Sequence, residues 1–212
     1  MGIVFSGSGH ALPKNICSNE DLSKIVDTSD EWISSRTGIK TRYIISDEES
    51  LTSLAIKAAK KTLESADTFV DVKDIGLIIV ATSCADRCFP SCACEVQASL
   101  GAVNAMCFDL SAACSGFVYA VHTAECMMKS AGYKYALVIG GDILSRLIDW
   151  KDRRTCVLFG DGVGALLLNS DTSSTDSGIL ATDVGANGLG GKSLIRENFG
   201  DNTFIYMDGQ DV

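Results

Sequence analysis

A short apolar run ends at small residues and an apolar helix pattern begins, with Cys114 at the junction. We predict a buried strand over 107–110 and a helix over 115–129. Free backbone N–H groups and the positive end of the helix dipole would then lie beside the sulfur, and both favour the nucleophilic thiolate. Small residues at 111–113 and Gly116 leave the turn accessible to a substrate. The spacing indicates a nucleophilic cysteine, and the alternative is a small buried core residue.

Histidine is a common base for a cysteine nucleophile, and the sequence holds two histidines. His122 follows Cys114 by eight residues on the predicted helix, which separates the two by about 12 Å along the axis. This distance excludes His122 as the base for that thiol. His10 stands near the first predicted strand, at no defined distance from Cys114.

Four cysteines stand close together before the central stretch, at positions 84, 88, 92 and 94. Structural zinc sites use paired C-x2-C clamps, which this spacing lacks, and no histidine stands nearby. We therefore predict that these cysteines pack as small apolar residues and that the chain has no metal site. Two glycine-rich segments, 160–164 and 185–193, also fail the spacing or the strand and helix context of nucleotide-binding loops.

The composition excludes several classes of function. With 212 residues and 46% apolar content, the chain can build one well-buried domain. The formal net charge of −9 argues against nucleic acid or an anionic membrane as the main partner. The first residues lack the pattern of a signal peptide, no apolar run reaches membrane-spanning length, and nine cysteines are typical of reduced thiols. We therefore predict a cytoplasmic protein.

Apolar runs between turn residues predict strands, and amphipathic patterns with capping residues predict helices. The predicted strands cover residues 3–5, 76–81, 107–110, 135–140, 165–168 and 179–184, with a turn and loop from Gly7 to Pro13. The predicted helices are a short one ending at Ile25, a short one within 27–39, and longer ones starting at Ser50 or Thr52, at Cys92 and at Ser115. This alternation predicts an α/β fold with a mainly parallel sheet covered on both faces. The helix after Cys114 is apolar nearly all round, so we expect it to be buried in the middle of the fold.

The short helix within 27–39 carries Trp32 and Arg36 one turn apart on the same face. An aromatic ring and a guanidinium at this spacing can contact each other or a flat ligand. The alternative is a core tryptophan beside a surface arginine, and spacing alone favours that alternative.

Six motifs of the chain stand in the order and spacing of one known family. They are Asp27–Ile33, Arg36–Ile39, Phe89–Ser91, Ala112–Phe117, the set Asp152-Arg153-x-Thr155, and Phe159–Ala165. On these motifs the sequence resembles the 3-oxoacyl-(acyl-carrier-protein) synthase III family, the initiating ketoacyl synthases of bacterial fatty-acid synthesis. The match covers essentially the whole chain, and it is specific because several independent motifs agree.

The resemblance implies a thiolase-like layered fold with a mainly parallel or mixed sheet, a homodimer, and a Claisen condensation between an acyl-CoA and malonyl-acyl-carrier-protein. Cys114 would accept the acyl group from the CoA thioester, which is a substrate, and no cofactor is implied. Trp32 and Arg153 match the positions that sandwich the CoA adenine, and Arg36 matches a CoA-contacting residue. Phe89 matches a residue that reaches across the dimer to line the partner's acyl pocket; the alternative is ordinary core packing.

The resemblance also implies a division of the chain. Residues 1–171 match the first, thiolase-like half with the nucleophilic cysteine, and residues 172–212 match the beginning of the second half. Family members use a Cys-His-Asn set and a glycine-rich oxyanion segment, of which all but the cysteine lie in the second half. We therefore expect a truncated or partly represented protein. We expect the 212 residues alone to retain partial acyl transfer to Cys114 but not condensation.

Three other functions remain open at this stage. A cysteine hydrolase would share the strand–turn–helix nucleophile, but its G-x-[nucleophile]-x-G elbow needs glycine where Ala112 stands. A non-catalytic half that only associates with a partner chain is a second alternative. Related CoA-dependent condensing enzymes, such as hydroxymethylglutaryl-CoA synthase or type III polyketide synthases, resemble the chain at the cysteine but not in the combined Trp32, Arg36 and Arg153 set.

Overall fold

The computed structural model describes residues 2–171, 178–200, 203–210 and 212. Within these residues the chain forms two compact units. The first draws on the segments up to Leu12, Glu48–Asp142 and Gly162–Val184, and the second on Pro13–Asp47, Ile143–Asp161 and Gly185–Val212. The predicted division between 171 and 172 falls beside residues 172–177, which lie outside the described residues, and it stays a prediction.

The elements alternate between strand and helix along most of the chain. The strands are β1 Gly2–Ala11, β2 Asn15–Ser18, β3 Thr41–Ile44, β4 Ile75–Ala81, β5 Met106–Leu110, β6 Tyr135–Ile143, β7 Asp161–Asp171, β8 Leu194–Ile195 and β9 Tyr206–Met207. The α-helices are α1 Asn19–Ser23, α2 Asp30–Thr37, α3 Leu51–Glu64, α4 Cys92–Leu100, α5 Gly116–Ala131 and α6 Arg153–Cys156. None of the helices in the described ranges is long and apolar enough to cross a membrane.

The first unit is built on a five-stranded sheet in the order β1-β7-β6-β4-β5. β4 runs parallel to β5 and β6, whereas β1 is antiparallel to β7, so the sheet is mixed. Leu77 and Ile79 of β4 pack in one core with Ala124 of α5. Ile78 and Val80 point to the opposite face and are also buried. The predicted α/β fold with a covered central strand is confirmed.

Two predictions of burial are wrong. β5 is the edge strand of the sheet, so it has one neighbouring strand, and residues 107–110 are each only partly buried. α5 buries only one stripe, which includes Ala120 and Ala124, while Val118 is 54% exposed and Cys126 lies at the surface. Apolar composition alone does not distinguish a strand or helix with one covered face from one with two.

The loop predicted from Gly7 to Pro13 is wrong, because β1 continues to Ala11. A Cβ on Gly7 would lie 2.6 Å from the Thr62 carbonyl oxygen, and one on Gly9 would lie 2.6 Å from the Thr62 nitrogen. The two glycines therefore allow α3 to approach the strand closely and do not form a turn. The strand predicted over 179–184 is also wrong: Ile179 donates its N–H to the Ile3 carbonyl, but the described stretch 178–187 contains no strand.

The capping residues predict the helices well. Ser18 caps α1, and the Ser29 side chain accepts a hydrogen bond from the Trp32 N–H at the start of α2. Gly38, with φ of 73°, ends α2 in the left-handed conformation. Ser50 caps α3, and α4 begins at Cys92 as predicted. Side-chain caps are local interactions, which explains why the sequence is sufficient to locate them.

The second unit is held by a smaller core and by one buried cation. Its core contains the buried side chains Leu22, Ile33, Ile148, Cys156 and Val157. Arg42 on β3 is 4% exposed and donates hydrogen bonds to the Asn19 side-chain oxygen and to the carbonyls of Cys17 and Val157. These bonds join β2, β3 and the residue that follows α6 within this unit.

We expect Gly9→Ala to lower the free energy of unfolding by about 1–3 kcal/mol, because its methyl group would overlap the α3 backbone. Gly164→Ala is the matched control, since Gly164 pairs with His10 in the neighbouring strand and a Cβ there meets nothing within 4 Å. Urea denaturation followed by circular dichroism measures both. Equal stabilities of the two variants would contradict the close approach of β1 and α3.

Candidate active site

Cys114 lies where the sequence predicts, between a strand and a helix. β5 ends at Leu110, a 3-10 turn covers Ala113–Ser115, and the 16-residue α5 begins at Gly116. Ala113 has φ of 46°, a left-handed conformation that costs a non-glycine residue about 1 kcal/mol or more. Cys114 is exposed. The strained turn presents the sulfur at the amino end of the helix, so the alternative of a buried core cysteine is wrong for this chain.

A cavity of 290 Å³ opens beside the sulfur. It is lined by Ala81, Ala113, Cys114, Phe117, Gly140, Gly141, Asp142 and Gly164. A Cβ on Gly140 would lie 2.6 Å from a ring carbon of Phe117, and one on Gly141 would lie 2.5 Å from the Gly162 carbonyl oxygen. These glycines let the Phe117 ring and β7 pack tightly around a small and mostly apolar space.

The carboxylate of Asp142 lies in the wall of this cavity, and none of the sequence motifs predicts it. Its Oδ1 accepts hydrogen bonds from Thr82 Oγ1 at 2.9 Å, the Ser83 N–H at 2.8 Å and Cys84 Sγ at 3.1 Å. The signal that could have identified it is an acidic residue directly after an apolar strand and two glycines. Its binding partners are 58–60 residues away along the chain, so spacing could not identify them.

Trp32, Arg36 and Arg153 come together in the second unit, at a separate cavity of 470 Å³. The guanidinium carbons of Arg36 and Arg153 lie 4.4 and 4.7 Å from the centre of the Trp32 ring. Arg36 donates to the Trp32 carbonyl, and Arg153 donates to the Asp27 carbonyl at 2.8 Å. Arg36 is exposed and Trp32 is half-buried against the core of this unit, as the alternative of a core tryptophan beside a surface arginine expects. The ring contacts show that the two residues also form one site with Arg153.

Arg154 adds a third guanidinium to the same cavity, and it also was not predicted. Asp152 accepts hydrogen bonds from Arg154 Nε and Nη2, and these bonds hold the pKa of Asp152 below its ordinary value. The Arg154 guanidinium lies 5.9 Å from the Tyr206 ring centre. Three cations and two aromatic rings around one cavity suit a flat ligand that carries negative charge.

Comparison with known proteins identifies the family of the chain. The model of the family described as 3-oxoacyl-[acyl-carrier-protein (ACP)] synthase III matches residues 108–188. The beta-ketoacyl-[acyl-carrier-protein] synthase III of Geobacillus kaustophilus is 46% identical over 212 residues, which are 100% of this chain and 66% of the relative. That of Ehrlichia canis is 50% identical over 182 residues, which are 86% of this chain and 56% of the relative. The chain belongs to the 3-oxoacyl-[acyl-carrier-protein] synthase III family.

Solved structures of the family confirm the thiolase-like fold. The crystal structure of the synthase from Aquifex aeolicus has a TM-score of 0.90 at 46% identity, over 99% of this chain and 66% of that one. The Pseudomonas aeruginosa structure has a TM-score of 0.91 at 37% identity, over 99% of this chain and 65% of that one. The chain thus spans 56–66% of the length of the family members named here.

Other motifs shared with the family have visible structural roles. Asp161 in the glycine-rich motif is buried and accepts hydrogen bonds from the Ile45 N–H and from the N–H and hydroxyl of Ser145. A Cβ on Gly160 would lie 2.9 Å from Arg42 Cβ. Phe89 is 85% exposed, so the alternative that it packs in the core of its own chain is wrong.

The remaining chemistry-bearing residues have local partners. His122 lies within 4 Å of Glu125 and Cys126 on its own helix. Asp109 on β5 accepts hydrogen bonds from the N–H groups of Cys92 and Ala93, which caps α4 from outside the helix. Among the residues that the structure describes, no group of three or more His, Cys, Asp or Glu side chains is placed to hold a metal ion.

The cysteines should differ in reactivity with pH. Burial raises the pKa of Cys92 to about 12 and that of Cys107 to about 11, so both stay protonated at neutral pH. At about pH 8, we expect iodoacetamide to modify the exposed Cys114 and not Cys92 or Cys107, because only the thiolate reacts. As the pH rises toward 11, Cys107 should begin to react before Cys92. Peptide mass spectrometry measures the modification of each cysteine. Modification of Cys107 at pH 8 to the same extent as Cys114 would contradict the predicted order.

Proposed function

We propose that Cys114 accepts an acetyl or other short acyl group from acyl-CoA in the initiating step of bacterial fatty-acid synthesis. The acyl group then undergoes decarboxylative Claisen condensation with malonyl-acyl-carrier-protein, which gives 3-oxoacyl-acyl-carrier-protein, CoA and carbon dioxide. The observation that carries the proposal is the exposed thiol at the amino end of α5 beside a small cavity. The relatives from Geobacillus kaustophilus and Ehrlichia canis, both beta-ketoacyl-[acyl-carrier-protein] synthases III, support the reaction class.

The first step needs only groups that this chain presents. The Cys114 sulfur attacks the thioester carbonyl carbon, and a new S–C bond forms as the S–C bond to CoA breaks. CoA leaves as a thiolate and takes up the proton that the Cys114 thiol releases. One thioester replaces another, so the exchange is nearly balanced in energy. The amino end of α5 lies beside the sulfur, and the positive end of the helix dipole favours the negative charge that develops there.

We place the CoA adenine at Trp32. An aromatic layer between the Trp32 ring and a guanidinium needs about 7–8 Å, since each stacked contact takes 3.5–4 Å. Arg153 lies 4.7 Å from the ring centre, so it must move outward to admit the adenine. Its hydrogen bond to the Asp27 carbonyl is exposed, and an exposed bond is easily exchanged for water. Arg36 remains beside the ring to attract the phosphates of CoA.

We further propose that the chain forms a homodimer in the cytoplasm, with no nucleic-acid or membrane partner. The dimer is supported by the exposed edge strand β5 and by Phe89, whose ring lies outside its own core. The cytoplasmic location is supported by the nine cysteines, each within the described residues and each a thiol rather than half of a disulfide. The net charge of −9 disfavours anionic partners.

Incubation with acetyl-CoA should add one acetyl group, on Cys114. Cys114→Ala should reduce the acylation rate about 10³-fold or more, because the nucleophile is lost. Cys88→Ala is the matched control, since Cys88 is also an exposed thiol of the first unit and does not line the cavity. Intact and peptide mass spectrometry measure the adduct. An adduct that persists in Cys114→Ala, or that maps to another cysteine, would refute the proposal.

Trp32→Ala and Arg153→Ala should each weaken CoA binding by about tenfold or more, because stacking of one base on an aromatic ring contributes about 1–3 kcal/mol. Alkylation of Cys114 by iodoacetamide should stay unchanged in both variants. Arg196→Ala serves as control: Arg196 belongs to the same unit, but it contacts Thr203 and Asn198 and does not line the cavity. Titration calorimetry measures the affinities. Wild-type affinity in both variants would place the adenine elsewhere.

A further inference from the structure

Asp142 occupies an unusual position for a carboxylate. It follows the two glycines of β6 that line the Cys114 cavity, and within the described residues it is the only lining residue with a carboxylate. The rest of the lining is glycine, alanine, phenylalanine and Cys114 itself. A carboxylate in this wall makes one side of an otherwise apolar cavity unfavourable for apolar groups.

The carboxylate also joins the ends of three strands. β4 ends at Ala81, and the next three residues, 82–84, all donate hydrogen bonds to the same oxygen of Asp142. Thr82 in turn donates its N–H to the Leu110 carbonyl at 3.0 Å, at the end of β5. Leu110 directly precedes the turn that carries Cys114. A continuous set of hydrogen bonds therefore runs from Asp142 through Thr82 to the strand that leads to the nucleophile.

We propose that Asp142 is a positioning residue that fixes the width of the cavity beside Cys114 and so selects short acyl groups for the thiol. This inference rests on the proposed acyl transfer. Three donors on one carboxylate oxygen hold the end of β4 at a fixed distance from the end of β6. A longer acyl chain would have to displace this wall or press its methylene groups against a carboxylate, and both are unfavourable.

The test compares acylation of Cys114 by acetyl-CoA and by hexanoyl-CoA. Asp142→Ala should lower the acetyl-to-hexanoyl rate ratio by about tenfold, the effect expected when a pocket gains room for a few methylene groups. Asp142→Asn keeps an oxygen that can accept the three donors, so its ratio should lie closer to that of the wild type. Asp74→Ala removes an exposed carboxylate of the same unit and should leave the ratio unchanged. Equal ratios in Asp142→Ala and Asp74→Ala would overturn the inference.

A second measurement does not depend on CoA. The rates of Cys114 alkylation by iodoacetamide and by the bulkier N-benzyliodoacetamide should converge in Asp142→Ala. If neither CoA ester acylates the wild-type chain but the alkylation ratio still shifts, the proposed function fails and the positioning role stands. If acetyl-CoA acylates Cys114 and neither ratio shifts, the positioning role fails alone.

Thr82→Val tests the same inference if Asp142→Ala does not fold. It removes one of the three donors and keeps the carboxylate and the shape of the side chain. Both rate ratios should move in the same direction as in Asp142→Ala, by a smaller factor. Wild-type ratios in folded Thr82→Val and folded Asp142→Asn would show that the hydrogen bonds do not set the width of the cavity.

Discussion

The position of Cys114 depends on how closely α5 packs against β4. Ala120 and Ala124 face the sheet and are fully buried, and a Cβ on Gly116 would lie 3.4 Å from Ala81 Cβ. Small side chains at these positions let the helix axis approach the strand, so the amino end of α5 lies next to the carboxyl ends of β4 and β6. Larger residues would move the helix outward and enlarge the space beside the sulfur. The nucleophile is therefore positioned by the packing of small residues as well as by the local turn.

The sequence predicts those features whose causes are local. The caps of α2 and α3 and the start of α4 follow from residues within one helical turn, and all three agree with the structure. The turn at Cys114 is found for the same reason. Gly7 and Gly9 are misread because their cause is distant: they face α3, which begins 42 residues after Gly9 at Leu51. A glycine in the sequence can indicate either a turn or a close packing contact. Only the element that packs against it in the fold distinguishes the two roles.

In the candidate sites, too, contacts between residues close in sequence are predictable and contacts between distant residues are not. Trp32 and Arg36 are one turn apart, so their contact is within reach of a spacing argument, although spacing alone favours a core tryptophan. Arg153 joins them from 121 residues away, and only the family resemblance pointed to it before the structure did. Asp142 has neither a local partner nor a place in the motifs that carry the resemblance. Its contacts arise because parallel strands end at one edge of the sheet, a property of the topology.

The two outer edges of the sheet differ in a way that bears on partner binding. At β1, the Asp67 N–H donates to the Ser6 carbonyl, and Ser65 Oγ contacts both the N–H and the carbonyl of Ser8. The residues that follow α3 therefore occupy hydrogen-bonding groups of this edge. Occupied edges resist pairing with another chain.

At β5, Asp109 accepts hydrogen bonds from the N–H groups of Cys92 and Ala93, so the strand fixes the start of α4, three residues after the exposed Phe89. The same strand leads to Cys114. In the proposed homodimer, a second copy paired along β5 would lie next to the strand that leads to the nucleophile turn, and dimer formation would then affect the shape of the proposed acyl site.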